Sequence, residues 1–390
     1  MHIADHNVYG IDLNPVAVEL AEVSLWLNAL SKNNTVPWFG YQLFNGNSLI
    51  GARRQVYRPN QLLTNKKDDK WYKHEPQRLD PTNPARNPEH IYHFLLPDEG
   101  MAGLKDKEAK KLKPEVFKKI ADWKKQFIKP LTRDELALLQ QMSTAIDKLW
   151  REHTDMLRTH RAATEDQFPI WGKSVDERSI STAQKDKIRS EGIFNKQAKI
   201  ASAYRRLKLV MDYWCALWFW PLDQVELLPD RSQWLFDLNL ILCAQVYSFQ
   251  PEQADLNFSQ PATDNASANP TPDLFAGQPQ QIGPTDKEQK AHQVKTATGE
   301  IHLEKLFKQF PHLNLVNQLA EQYKFFHWEL AFADVFADNG GFDIMLGNPP
   351  WLKVEWNEGG VLGDYNPQFV LRKFSATKLN DLRQSRRLIG

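Results

Sequence analysis

The chain has 390 residues, 42% of them hydrophobic, and its 49 basic and 48 acidic side chains leave a formal net charge of +1. That length supports two domains or one large elaborated domain with a real core, and the charge balance excludes a global field announcing a polyanionic partner while leaving local patches open. Cys215 and Cys243 stand without Cys or His at ligand spacing, so neither a zinc site nor a disulfide framework is expected, and a reducing, cytoplasmic setting is.

The opening "MHIADHNVYGIDLNP" lacks the charged and apolar regions of a signal peptide. Within it, "NVYGID" (7–12) reads as a short strand ending at Asp12. The following "LNPVAVELAEVSLWLNAL" reads as a helix: Asn14 suits the N-cap, Pro15 the first helical position, and Val16, Leu20, Val23, Leu27 and Leu30 recur at helical spacing. A second strand, "YQLF" (41–44), leads into "NGNSLIG", and a third, "FDIMLG" (342–347), leads into two prolines. Strands alternating with helices predict a parallel, doubly wound α/β sheet.

The order of segments predicts four regions: 1–51 as the first part of the core, 52–259 as a mostly helical insertion, 260–300 as a flexible linker, and 301–390 as the second part of the core. In the insertion, Lys105 to Lys129 holds ten lysines against four acids, and Pro130 closes it. "LVMDYWCALWFWPL" (209–222) is too short to span a bilayer and reads as a buried helix. Residues 260–289 are rich in Pro, Gln, Asn, Ala and Thr and cannot bury a core. In "FFHWELAFADVFADNGG", Trp328, Phe332 and Phe336 are four apart, which suits a core-packing helix face stopped by Gly340 and Gly341.

In an open parallel sheet a ligand lies beyond the carboxyl ends of the strands, and Asp12, Asn47 and Asn348 each fall just after a predicted strand. Asp12 suits a carboxylate that accepts from two ribose hydroxyls; a turn or capping aspartate is the competing role. Leu13 could lie against an adenine ring. Asn47 could meet an adenine amino edge, or serve as a turn asparagine. "NPPW" (348–351) is more specific. The Asn348 side-chain carbonyl and the Pro349 backbone carbonyl, on a chain stiffened by Pro349 and Pro350, are two acceptors at fixed separation. They suit an exocyclic –NH2, whose lone pair is freed to attack an electrophilic methyl group when both protons are accepted. Trp351 supplies a face on which a flipped-out base can stack.

"YGIDLNPVAVELAEVSLWL", "GNSLIG", "FFHWELAFADVF" and "GGFDIMLGNPPW" together resemble the N6-adenine DNA methyltransferases of restriction-modification and related phage-defence systems, including the large methylases with long insertions. The resemblance covers about 80 residues in four blocks. It implies a Rossmann-like, S-adenosylmethionine-dependent methyltransferase sheet carrying the helical insertion. It assigns Asp12 to the ribose of S-adenosylmethionine, Leu13 and Asn47 to its adenine, and Asn348, Pro349, Pro350 and Trp351 to the target adenine of double-stranded DNA. The family also carries a Phe-x-Gly-x-Gly loop before its acidic strand, which has no counterpart here. The sheet is therefore expected to be incomplete, and upstream sequence or a second polypeptide to supply that loop. A non-catalytic DNA-binding or assembly subunit is the alternative. No metal is implied, and Pro97-Asp98 with Glu108-Ala109-Lys110 fits the nuclease pattern only loosely. The lysine-rich segment suits a DNA backbone or a solvated helix face equally.

Overall fold

The computed structural model describes residues 2–29, 37–63, 70–81, 85–104, 107–166, 180–195, 198–243, 286–296 and 300–348. It divides into two compact units, Met1–Phe342 and Asp343–Gly390. The described residues are mixed α/β, mostly helical, with two small sheets.

The first unit opens with helix α1 (His2–Asn7), strand β1 (Gly10–Asp12) and helix α2 (Pro15–Ala29). Strand β2 (Leu43–Asn45) runs parallel to β1 with Gly10 opposite Leu43, Ile11 opposite Phe44 and Asp12 opposite Asn45. The expected strand–helix–strand unit is thus formed, although β1 is shorter than expected: Asn7 ends α1, and Val8 and Tyr9 pair with no strand among the described residues. Strand β3 (Gln55–Tyr57), followed by helix α3 (Pro59–Leu62), pairs antiparallel with β4 (Gln77–Arg78) and β5 (Ile91–Tyr92).

The lysine-rich segment forms α4 (Lys107–Leu112) and α5 (Pro114–Phe127), separated where Pro114 can start a helix but not continue one. Helix α6 (Arg133–Thr164) starts from a capping box in which Thr132 Oγ1 accepts from Glu135 N (3.1 Å) and Glu135 accepts from Thr132 N (2.8 Å). Its Leu139, Met142, Ile146, Leu149, Trp150 and Leu157 are buried at helical spacing. Helix α7 (Thr182–Glu191) has a similar box at Ser181 and Gln184. The expected buried helix 209–222 is formed only in its first part, as the end of α8 (Ala203–Ala216); residues 217–220 leave the helix and Trp218 is 37% exposed, while α9 (Arg231–Cys243) packs on α8 and on α6. Of the expected linker 260–300, residues 260–285 and 297–299 lie outside the described residues. Asp286–Val294 is helix α10, with Ala291 and Val294 buried.

Helices α11 (Leu303–Gln309) and α12 (Pro311–Tyr323) complete the main core against α8 and α10. The aromatic segment forms two short helices, α13 (Trp328–Ala331) and α14 (Ala333–Asn339), broken at Phe332, whose backbone (φ −117°, ψ 39°) leaves the helical region. Gly340 ends α14 in the left-handed conformation (φ 78°), the expected stop. Phe332 is fully buried, and with Phe326, Ala331 and Val335 it forms a second core beneath β1 and β2.

The helix expected from Val16, Leu20, Val23 and Leu27 is formed, and these residues are 46–61% exposed; Leu30 lies outside the described residues. Helix α2 is apolar on more than one side, so the side that meets β1 and β2 leaves another apolar side in solvent. The expected strand "FDIMLG" is corrected. Phe342 belongs to the first unit, packing 5.3 Å from Phe332, and residues 343–348 have no regular structure. Ile344, Met345 and Leu346 are exposed. A β-strand is created by a partner ladder, and apolar composition alone supplies none; among the described residues the parallel sheet contains β1 and β2.

Burial sets an acid limit on the fold. It lowers His93 and His153 to about 4, against hydrogen bonds to the Arg53 carbonyl (2.9 Å) and the Leu330 carbonyl (2.7 Å) that oppose the shift. Both imidazoles are neutral in the folded chain, whereas the unfolded chain protonates them near pH 6.5. Below that pH the unfolded state binds more protons, so stability is present in full above 6.5 and is lost as pH falls toward 4, by up to about 3 kcal/mol per imidazole. The urea midpoint measured from pH 7 to pH 5, above the ordinary carboxylate range, should fall steadily. A flat midpoint would mean that both rings reach water.

Candidate active site

Parallel pairing of β1 with β2 brings Asp12 and Asn45 side by side at their carboxyl ends. Asp12 Oδ1 accepts from Asn14 N (2.7 Å), and Asn14 Oδ1 in turn accepts from Val16 N (3.0 Å), the expected cap at the start of α2. Asp12 is exposed, and its Oδ2 has no partner among the described residues. The Asp12 and Leu13 carbonyls are held by Asn45 Nδ2 at 3.0 and 2.9 Å, while the Leu13 side chain is 56% exposed. The competing turn role weighed for Asp12 is thus formed through Oδ1, and its other carboxylate oxygen stays open beside the exposed Leu13.

Asn47 is half-buried two residues beyond β2. Its Oδ1 accepts from Leu49 N (3.1 Å), closing a turn, and its backbone N–H donates to the Lys324 carbonyl (2.7 Å). The turn role weighed for it is formed, and the amide nitrogen remains as a donor. Asn348 is exposed in the second unit. Pro349, Pro350 and Trp351 lie outside the described residues.

The structure explains why "GNSLIG" and "FFHWEL" occur together. The second segment clamps the first: Phe326 N donates to the Ile50 carbonyl (2.8 Å) and Trp328 Nε1 to the Ser48 carbonyl (3.0 Å), while Glu329 Oε2 accepts from Arg54 N (2.7 Å), just beyond the first. Both glycines are required by this approach. A Cβ on Gly51 would stand 2.0 Å from the Phe326 carbonyl oxygen, and one on Gly46 would stand 2.6 Å from the Phe326 ring.

Behind the clamp lies a buried charged group that sequence reasoning missed. His327 Nδ1 accepts from Ala52 N (3.0 Å). A backbone N–H can only donate, so Nε2 carries the ring proton and gives it to Asp212 Oδ1 (3.0 Å). Asp212 Oδ2 meets Lys208 Nζ at 2.6 Å. Burial by itself would raise the Asp212 carboxyl, but Lys208 and His327 hold it below the usual range; burial lowers His327 and keeps it neutral. The signal was visible in the sequence: an aspartate inside the apolar run 209–222, with a lysine one helical turn earlier.

Among the described residues no group of three His, Cys, Asp or Glu side chains could hold a metal ion, and no helix is long and apolar enough to cross a membrane. Asp98, from the loose nuclease pattern, sits in a turn with Oδ1 accepting from Gly100 N (2.8 Å).

Compared with known proteins, residues 6–379 match the family model described as Eco57I restriction-modification methylase. No curated protein and no solved structure matches the chain.

Proposed function

The chain belongs to the Eco57I restriction-modification methylase family, and from it we propose that this methyltransferase acts on the N6 amino group of an adenine flipped out of double-stranded DNA, in the cytoplasm. The observation that carries the reading is the open carboxylate of Asp12 at the end of a parallel strand pair. When bound, S-adenosylmethionine supplies an electrophilic methyl group on a sulfonium. Asp12 would hold its ribose, with Leu13 and the Asn47 amide against its adenine. Asn348 Oδ1 and the Pro349 carbonyl would accept the two protons of the target amine and turn its lone pair outward, while Pro350 stiffens the loop and Trp351 stacks on the extruded base. Positioning and polarisation are the whole of the protein's contribution; no metal and no covalent intermediate enter.

In this reading the sheet is Rossmann-like, and a second polypeptide supplies the glycine-rich loop. The exposed apolar side of α2 supports that point, because its Val16, Leu20, Val23 and Leu27 gain stability when covered. The chain is to be incubated with duplex DNA and isotopically labelled S-adenosylmethionine, alone and with a polypeptide bearing the loop. N6-methyladenine is expected in the second mixture. DNA binding without methylation in either mixture would make the chain an assembly subunit instead.

Helices α4 and α5 would track the DNA backbone. Lys110 and Lys118 are exposed, and Lys119 meets Glu226 at 2.5 Å in an exposed pair that contributes little. Replacing Lys110, Lys111, Lys118 and Lys119 with glutamine should flatten the dependence of log K on log salt by up to about 0.9 for each phosphate that is no longer neutralised. An unchanged slope in a fluorescence-anisotropy titration would return the segment to a plain solvated surface.

A further inference from the structure

A cavity of about 590 Å³ lies where α7, α8, α11 and α12 meet the end of β2, within the size range of small-molecule sites. Neither Asp12, Leu13 nor Asn47 lines it. One part of its wall is aromatic: Phe194 stands 5.7 Å from Phe44 and 4.8 Å from Tyr204, ring centre to ring centre. The charged groups divide by element. Arg189 comes from α7 and Arg205 from α8, whereas Glu304 comes from α11 and Glu321 from α12.

These charges are not all engaged within the protein. Lys208 is matched by Asp212, and Arg205 Nη1 donates to the Ala198 carbonyl (3.0 Å). Arg189 differs. Its guanidinium carbon lies 5.8 Å from the Phe44 ring centre, and the carboxylate whose charge it offsets, Glu22 of α2, does not line the cavity. The Tyr204 hydroxyl also has no partner there, and burial raises it, so it is a donor at neutral pH. A partly buried guanidinium beside aromatic rings is suited to an anion attached to a planar ring.

We propose that this cavity binds a nucleoside phosphate whose base carries an exocyclic amine. The base lies on Phe194, and Tyr204, whose ring stands at 86° to that of Phe194, meets its edge; the phosphate meets Arg189, and the amine donates toward Glu304 and Glu321. A purely apolar ligand would cover the half-buried Arg189 without pairing it, phosphate alone would not use the aromatic wall, and a free amino acid would leave most of the volume empty. The cavity borders the proposed cofactor side through Asn45, which holds the Asp12 and Leu13 carbonyls, but its binding of a nucleotide does not depend on methyl transfer. Its ligand is either a free nucleotide or one nucleotide of a single strand.

Calorimetry on the full chain tests it with adenosine monophosphate, adenosine, inosine monophosphate and a short single-stranded adenine oligonucleotide. Adenosine monophosphate should bind about tenfold more tightly than adenosine, equivalent to about 1.4 kcal/mol, and Arg189→Gln should remove that difference. Inosine monophosphate, which lacks the amine, should bind more weakly than adenosine monophosphate. Phe194→Leu, which retains bulk, and Phe194→Ala should weaken both adenosine ligands in that order, with circular dichroism confirming the fold. If the oligonucleotide binds more tightly, and with the same sensitivity to Arg189→Gln, the ligand is a strand; if it does not bind, the ligand is free nucleotide. Absence of binding by both adenosine monophosphate and the oligonucleotide, or binding unchanged in Arg189→Gln and Phe194→Ala, would overturn the inference. So would equal displacement by S-adenosylmethionine, which would make the cavity the cofactor site.

Discussion

Replacing Asn348 with alanine is expected to reduce methyl transfer by about 10²–10³-fold or more, the cost of removing one hydrogen-bonding partner aimed at the reacting group, with S-adenosylmethionine affinity nearly unchanged. The amide carbonyl is one of two acceptors for the target amine in the proposed reaction. Without it the nitrogen lone pair stays conjugated with the adenine ring and is a poor nucleophile. The cofactor-side candidates, Asp12, Leu13 and Asn47, are untouched by the change. Trp351→Ala should act differently, weakening binding of the extruded base by about 1–3 kcal/mol because the base no longer stacks on an indole. Single-turnover methylation of an adenine-containing duplex, with the loop-bearing polypeptide present, separates the two effects. An Asn348→Ala protein as fast as wild type would sink the assignment of the amide acceptor.

The largest effect on stability is expected at Asp212. Its carboxylate is the common partner of Lys208 Nζ (2.6 Å) and His327 Nε2 (3.0 Å), and the His327 side chain is 2% exposed. Asp212→Ala leaves a buried N–H without an acceptor and an ammonium without its counter-charge, a type of change that costs about 3–5 kcal/mol. The Lys208 side chain is 32% exposed at the edge of the cavity, so its ammonium can recover some water, and the lower end of that range is expected. The effect should reach the "GNSLIG" segment, because His327 also receives Ala52 N. Urea denaturation with an unchanged slope is the measurement. The double variant Asp212→Ala with Lys208→Ala should be less destabilised than the sum of the single changes. A loss under about 1 kcal/mol for Asp212→Ala would show that water replaces the carboxylate.

What the sequence by itself determined was local. Asn14 and Pro15 start α2, Pro114 starts α5, and Gly340 ends α14, since caps and first-turn positions involve residues within a few places of one another. The parallel pairing of β1 with β2 followed from alternation of strand and helix, and the family from four short blocks whose wording survives a long insertion. What only the tertiary structure decided depends on partners distant in the chain. "GNSLIG" and "FFHWEL" are about 280 residues apart, and nothing local shows that one supplies donors and acceptors to the other or that Gly46 and Gly51 admit Phe326. The apolar spacing of α2 shows a face but not what covers it, so its exposure became visible only with the packing. "FDIMLG" has the composition of a strand, yet a strand exists only where a neighbour offers its backbone, and that condition is set by the sheet and not by the six residues themselves.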